Sequence, residues 1–248
     1  MCNYNGIKIN KAATLELFQR KKTLQEMERA LQSGFDYSDW PIVKPYTNND
    51  WNVEMAHWEF VAPWTKSAQA LKENRKKYAT LNATSERLLE SKLFREAALK
   101  RRCLVLSSGF YEWRHYQPAG AKKPITYPYH LTIASETAMP LFFMAGIYQP
   151  TVDFETGEVK DSFAIITTAA NSLMSQVHNL KKRMPTILPL HLAEEWLHPT
   201  LPEERITAIA SYQYPSNEMR AHTIRKDFRT APNPGEHFDY PELPLLVL

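Results

Sequence analysis

Five apolar, aromatic-rich segments follow one another between residues 103 and 168 with no helical pattern between them. They are Cys103-Leu104-Val105-Leu106, Gly109-Phe110-Tyr111-Glu112-Trp113, Tyr129 to Ala134, Leu141 to Tyr148 and Ser162 to Thr168. Short runs rich in β-branched and aromatic residues read as strands. Parallel neighbours need a crossover of about a dozen residues, usually helical, so strands joined this directly pair mainly antiparallel. The expected fold is therefore α+β, a mainly antiparallel β core with helices at its periphery. Segments 114–128 and 149–161, the latter containing Gly157, read as connecting loops.

The flanking regions supply the rest. Residues 3–10 read as extended, and 12–32 as helical, with Leu17, Leu24, Met27 and Leu31 at helix-compatible spacing. The region of Pro41 and Pro45 through Tyr46-Thr47-Asn48-Asn49-Asp50 reads as loop. Trp58 to Trp64 is a short apolar strand ended by Pro63, and Lys66 to Lys77 is a basic, polar stretch. Residues 86–100 carry a helical pattern (Leu89, Leu93, Ala97) that Thr84 or Ser85 could cap, which sets Asn82 in the turn entering a helix. Further helical turns are expected at 171–177, 190–198 and 202–211, and an extended segment at 220–226. A Pro-rich tail over 231–248 follows a single domain over 1–230.

At 248 residues the chain is ample for one core, and 44% hydrophobic with 23% charged residues is ordinary for a globular protein. No apolar run reaches the roughly 18 residues of a membrane helix, and no secretory leader pattern opens the chain, so a cytoplasmic protein is expected. Two cysteines, Cys2 and Cys103, preclude a disulfide framework or a cysteine zinc site, and His191-x-x-Glu194-Glu195 lacks zinc-peptidase ligand order. No metal or organic cofactor is expected. The net charge of +3 tolerates an anionic partner without announcing one. Basic runs at 20–22, 75–77, 100–102, 122–123 and 181–183, with six tryptophans, offer cations and flat rings for a nucleic-acid strand.

Four residues carry candidate chemistry. Cys2 is either an ordinary residue near a chain terminus or, once Met1 is removed, a 1,2-aminothiol. Such a group condenses with an aldehyde through its amine and then closes a thiazolidine through its thiol. Reference pKa values of about 7.7–8.0 for the amine and about 8.5 for the thiol leave the amine usable near neutral pH. Glu112, set between bulky aromatics in a strand, either faces solvent or is desolvated into an acid/base group. Asn82 and His178 are each either local structure or site residues.

Met1-Cys2, Trp58 to Trp64, Leu81-Asn82-Ala83-x-Ser85-Glu86, Arg101 to Val105, Gly109 to Trp113 and His178…Arg183-Met184-Pro185-x-Ile187-Leu188 occur in one order. Together they resemble the SOS response-associated peptidase (SRAP) family of abasic-site-processing proteins, over about residues 1–200. The resemblance implies the family's curved β core and a substrate of single-stranded DNA containing abasic sites. It also implies catalytic roles for Cys2, Asn82, Glu112 and His178, with Cys2 crosslinking to the ring-opened sugar. Trp64 and Trp113 match its DNA-cleft aromatics. The chain departs from the family where Asn3-Tyr4 follows Cys2 and where Thr84 ends the Asn-Ala-Arg motif, so two phosphate-binding arginines are absent. Arg75, Lys76, Lys77 and Lys181 are the candidates to replace them. A thiol peptidase using Cys2, His178 and Asn82, and a non-catalytic single-strand binder, remain as alternatives; monomer is the default state.

Overall fold

The computed structural model describes residues 2–11, 13–46, 50–135 and 140–247. Strand β1 (Tyr4–Ile9) forms as expected, but the stretch 12–32 is not helical. Its described residues make β2 (Thr14–Leu17), β3 (Arg20–Thr23) and β4 (Met27–Ser33). Between β2 and β3, Phe18 and Gln19 take left-handed φ values of 54° and 60°, the two-residue turn whose twist suits an antiparallel hairpin. Neither residue type announces such a turn. Pairing of β4 along β1 then outweighs the accidental helical spacing of the leucines.

Strands β5 (Asp39–Tyr46) and β6 (Asp50–Trp58) pair along their length, so Pro41 and Pro45 lie in a strand rather than a loop; residues 47–49 lie outside the described residues. Both prolines share one parity, and β5's other neighbour pairs with it only at Ile42 and Val43, so the missing N–H groups interrupt little. Strand β6 ends at Trp58, not Trp64. Lys66 to Lys77 contains helix α1 (Ala68–Lys77), begun by Ser67, whose Oγ accepts the Ala70 N–H at 3.1 Å.

After β7 (Asn82–Thr84) comes a single 3-10 turn, and only Arg95–Lys100 of the expected 86–100 helix is α-helical (α2). Thr84 stands at the N-cap of that turn without a side-chain cap bond, and Ser85 Oγ has no partner among the described residues, so neither caps it. Then follow β8 (Arg102–Ser107), β9 (Gly109–Tyr116), β10 (Ile125–Ile133), β11 (Phe142–Val152), β12 (Val159–Ala169) and α3 (Ser172–Val177). The two expected loops are therefore shorter, because strands on both sides extend into them. The chain continues through β13 (Arg183–Pro185), β14 (Ile187–Leu188), α4 (Leu190–Leu197), α5 (Glu203–Ala210) and β15 (Met219–Thr223).

The strands form two main sheets. One has the order β15-β10-β9-β1-β4. In the other, β12, β6, β5, β8 and β11 pair in sequence and β11 returns to β12, closing a small barrel with β7, β13 and β14 attached. All described pairings are antiparallel except those of β12 with β6 and β7. The fold is thus a mostly antiparallel β domain, with five short peripheral helices among the described residues.

The aromatic content is mostly structural. Trp40, Trp51, Trp58 and Trp196 are fully buried, each with its indole N–H on a backbone carbonyl. Trp64 and Trp113 are the two left with exposure. The basic runs are likewise part framework: Arg102 is buried and donates to the carbonyls of Trp196, Ala98, Leu99 and His198, holding the C-terminal ends of α2 and α4. The Pro-rich segment packs back on the domain, with Tyr240 Oη donating to the Ile224 carbonyl and Gln176 exchanging two hydrogen bonds with the Val247 backbone. Among the described residues no helix is long and apolar enough to cross a membrane.

Candidate active site

Cys2 is buried at 0% exposure, just ahead of β1. Two contacts hold the approach to it: Gly34 N–H donates to the Asn3 carbonyl at 2.8 Å, and Asn82 Nδ2 donates to Asn3 Oδ1 at 2.9 Å. Gly34 sits close against buried neighbours: a Cβ there would stand 2.9 Å from Leu81 Cδ1 and 3.1 Å from Trp58 Cε2, so a larger residue would have to displace those side chains. Asn82 itself starts β7, whose parallel pairing with β12 fixes it opposite Ile165.

Strand β9 brings Glu112. It runs antiparallel to β1 with Asn5 opposite Phe110 and Gly6 opposite Gly109, and extending that register sets Glu112 opposite Asn3, beside Cys2. Gly6 is at a bulge of β1 where a Cβ would lie 2.6 Å from the Ala30 carbonyl oxygen. Glu112 is 3% exposed, which resolves the sequence alternatives in favour of the desolvated carboxyl.

His178 is delivered by the end of α3, a helix begun by Asn171, whose Oδ1 accepts the Met174 N–H at 2.9 Å. Its Nδ1 lies 2.9 Å from the Arg183 carbonyl, which only a protonated nitrogen can engage, so Nε2 carries the lone pair. That Nε2 faces Glu112 Oε2 at 3.8 Å. Asn179 completes the arrangement: it accepts from His115 N–H at 3.0 Å and donates to His115 O at 2.7 Å, fastening the His178 loop to the strand that carries Glu112. Sequence reasoning missed Asn179 and Asn3, because a lone asparagine carries no signal until its partner strand is known.

The electrostatics follow from burial. Desolvation raises the Glu112 carboxyl to about 7 and lowers the His178 imidazole to about 4. Near neutral pH the site therefore holds a carboxyl poised between its two forms beside a neutral imidazole. Burial, aided by the Glu112 charge, pushes the Cys2 thiol up, so the sulfur stays protonated. Lys181 is exposed, and its charge acts on both Glu112 and His178. Among the described residues no group of three or more His, Cys, Asp or Glu is arranged to hold a metal ion.

The proposed DNA contacts separate into two groups. Trp113 follows Glu112 and packs edge-on against Tyr4, ring centroids 5.1 Å apart, beside Phe228. The Arg229 guanidinium lies 4.9 Å from the Tyr4 ring centroid, an exposed cation near Cys2 that sequence reasoning missed because it comes from the far end of the domain. Trp64 is 58% exposed and lines a different cavity, shared with Asn82. Lys77 is exposed at the end of α1. Arg75, by contrast, binds Glu59 through Nε at 3.0 Å and Nη2 at 2.6 Å and lies over the Tyr37 ring, so its guanidinium is already engaged.

Known proteins share this architecture. A crystal structure of a protein from Bacteroides thetaiotaomicron superposes with a TM-score of 0.76 at 30% identity, covering 96% of this chain and all of that one. A phage-related protein from Bordetella bronchiseptica shares the fold at a TM-score of 0.65 and 19% identity, covering 91% of this chain and 95% of that one. Abasic site processing protein YoqW of Bacillus subtilis is 30% identical over 183 residues, 74% of this chain and 73% of its own. The yeast abasic site processing protein YMR114C is 28% identical over 77% of this chain and 48% of its own. The family model described as SOS response associated peptidase (SRAP) matches residues 1–231, and the chain belongs to the SRAP family.

Proposed function

We propose that this protein processes abasic sites in single-stranded DNA by covalent attachment through Cys2. The observation that carries the reading is the convergence of a buried Cys2, a desolvated Glu112 and a neutral His178 at one end of β1 and β9. The names of its relatives point the same way. Met1 lies outside the described residues, and its removal is part of the proposal.

In this reading the ring-opened sugar presents an aldehyde. His178, whose Nε2 carries a lone pair, takes the proton of the C1′ hydroxyl as the ring opens, solvent protonating the ring oxygen, and returns that proton to the aldehyde oxygen when the neutral Cys2 amine attacks C1′. Glu112 takes the amine's proton and returns it to the departing hydroxyl, which leaves as water and gives an imine. The Cys2 S–H then adds across that imine, sulfur to C1′ and proton to nitrogen, closing the thiazolidine. If β-elimination comes first, the strand breaks on the 3′ side. Asn82, fixed through Asn3, orients the reacting end. The protonated thiol supports this order, amine before sulfur. A thiol peptidase instead needs a thiolate beside an imidazolium, and burial opposes both charges.

Intact mass spectrometry after incubation with an oligonucleotide holding one abasic site tests the proposal. The expected product has the mass of protein lacking Met1 plus DNA minus one water, and survives heating. Mature protein with no adduct would overturn it.

The phosphate grip is assigned to Lys77, Lys181 and Arg229, and base stacking to the rings of Trp64, Trp113 and Tyr4. Arg229→Ala is expected to weaken non-covalent binding of single-stranded DNA several-fold at 50 mM salt. It should also reduce the slope of log affinity against log salt by about 0.7. Arg75→Ala should leave that slope unchanged, since Arg75 serves Glu59. Binding titrations at four salt concentrations decide between them.

A further inference from the structure

Residues 232–247 lie beyond the span that the family model matches, yet they reach back to the elements that carry the candidate site. Tyr127 on β10 donates its hydroxyl to Glu242 Oε1 at 2.9 Å. Arg114 on β9 donates through Nη1 to the Pro244 carbonyl at 2.6 Å. Gln176 on α3 donates through Nε2 to the Val247 carbonyl at 2.6 Å, and its Oε1 accepts the Val247 N–H at 2.9 Å, so its amide pairs with the backbone as a neighbouring strand would. Glu242, Pro244 and Val247 thus anchor in turn to β10, β9 and α3.

Tyr127 stands opposite Arg114 in the strand register, and Tyr129 opposite Glu112. Arg114 follows Glu112 by two residues, so both side chains leave one face of β9. Gln176 precedes His178 by two residues, at the end of a helix of only six residues, too short to be stable alone. The segment therefore ties the strand that carries Glu112 to the helix that delivers His178, the pair whose facing atoms stand 3.8 Å apart. Its ties are polar and discrete. Leu243 and Leu246 pack partly against the core, but Leu245 and Val247 are exposed, and a cavity of about 350 Å³ separates the segment from Tyr129, Leu173 and Met219. A segment that merely covered the core would fill that space and bury its leucines. We propose that residues 240–247 are a strap that sets the spacing of Glu112 and His178, with Gln176 as the positioning residue through which it acts. The inference rests on the abasic-DNA reading above. Gln176 works through α3 and not on the substrate: it holds the helix end toward β9, where a misplacement of about 1 Å can cost up to about 100-fold in rate.

The test is single-turnover crosslinking of the full chain to an abasic strand. The rate constant at saturating DNA reports the placement of the reacting groups, and the amplitude reports the fraction of folded protein. Gln176→Met keeps the side chain's length and a good helix former but removes both bonds to Val247. Its rate constant is expected to fall about tenfold, with wild-type amplitude and with affinity for a strand holding a tetrahydrofuran abasic analogue changed less than about twofold. Glu242→Ala, which alters the strap without touching α3, should slow the reaction about two- to threefold in the same way. A wild-type rate constant in either variant, a loss confined to amplitude, or a matching loss of affinity would overturn the positioning role. Hydrogen exchange keeps the two proposals apart. The Ser175 and His178 amides, bonded to the Asn171 and Met174 carbonyls, should exchange at least about fivefold faster in Gln176→Met, with β9 unchanged. Unchanged exchange condemns the strap whatever the adduct does, whereas a wild-type protein that forms no adduct condemns the crosslinking reading.

Discussion

Cys2→Ser is expected to lose the heat-stable DNA adduct, falling at least about 100-fold below the wild-type yield, while a borohydride-reducible imine and slow strand cleavage persist. The reasoning separates the two nucleophiles of residue 2. Serine keeps a small side chain at the second position and, after Met1 removal, the same α-amine, so carbinolamine and imine formation continue with Glu112 and His178 in place. What is lost is the sulfur that closes the five-membered ring. An open imine is reversible, and heating in water returns it to amine and aldehyde. Sulfur also matters for timing: burial and the Glu112 charge keep the Cys2 thiol protonated, so it adds only after the amine has made an electrophilic carbon at bonding distance. Denaturing gels with and without borohydride, over the same time course, measure both products. Full stable crosslinking by Cys2→Ser would eliminate the thiazolidine, and loss of the reducible imine as well would mean that Cys2 serves the amine step through its side chain.

The parts of this molecule that could be read in its sequence are those whose signal is local or chemically rare. The strands from Cys103 to Thr168 were evident in uninterrupted β-branched and aromatic runs, and the antiparallel core followed from the absence of crossover helices. Cys2, Asn82, Glu112 and His178 stand out by chemistry and family resemblance, and the fold links them: strand register sets Glu112 opposite Asn3 beside Cys2, Asn82 bonds Asn3, and His178 faces Glu112. What could not be read depends on partners distant in sequence. The 12–32 segment has helical leucine spacing, yet β1 supplies a pairing edge, and left-handed Phe18 and Gln19 turn the chain without glycine. Arg75 looked like a free cation within Arg75-Lys76-Lys77 because Glu59 lies sixteen residues away and its burial is invisible locally. Arg229 was missed for the converse reason: nothing near residue 229 reveals that it ends beside Tyr4. Both cases concern charge, whose meaning depends on the three-dimensional neighbour.

Glu112→Gln should abolish most turnover while stabilising the fold, two effects with a common cause. The wild-type carboxyl must accept the amine's proton, so the adduct rate should rise with pH as Glu112 ionises at about 7, with a further rise from the amine near its reference value of about 7.7–8.0. Glutamine cannot carry that proton, and the rate should fall about 100-fold or more, with the inflection near 7 gone and the amine's retained. His178, held down at about 4 by burial, contributes no step across this range. Stability moves the other way. The Glu112 carboxyl binds its proton more tightly in the folded chain, to about 7, than in the unfolded chain, to about 4.3. Between those values the native state holds more protons, so unfolding free energy falls as pH rises, and the full penalty is present above 7. Glutamine keeps the shape without the buried charge. Chemical denaturation at pH 8 should therefore find Glu112→Gln more stable by roughly 4 kcal/mol, with the gain shrinking toward zero by pH 4. A variant that is inactive and also less stable at pH 8 would mean that Glu112 is a structural residue, and the proton-transfer role would have to be reassigned. An inactive variant that unfolds later than the wild type would identify a carboxyl maintained, against the stability of the fold, for the chemistry at Cys2.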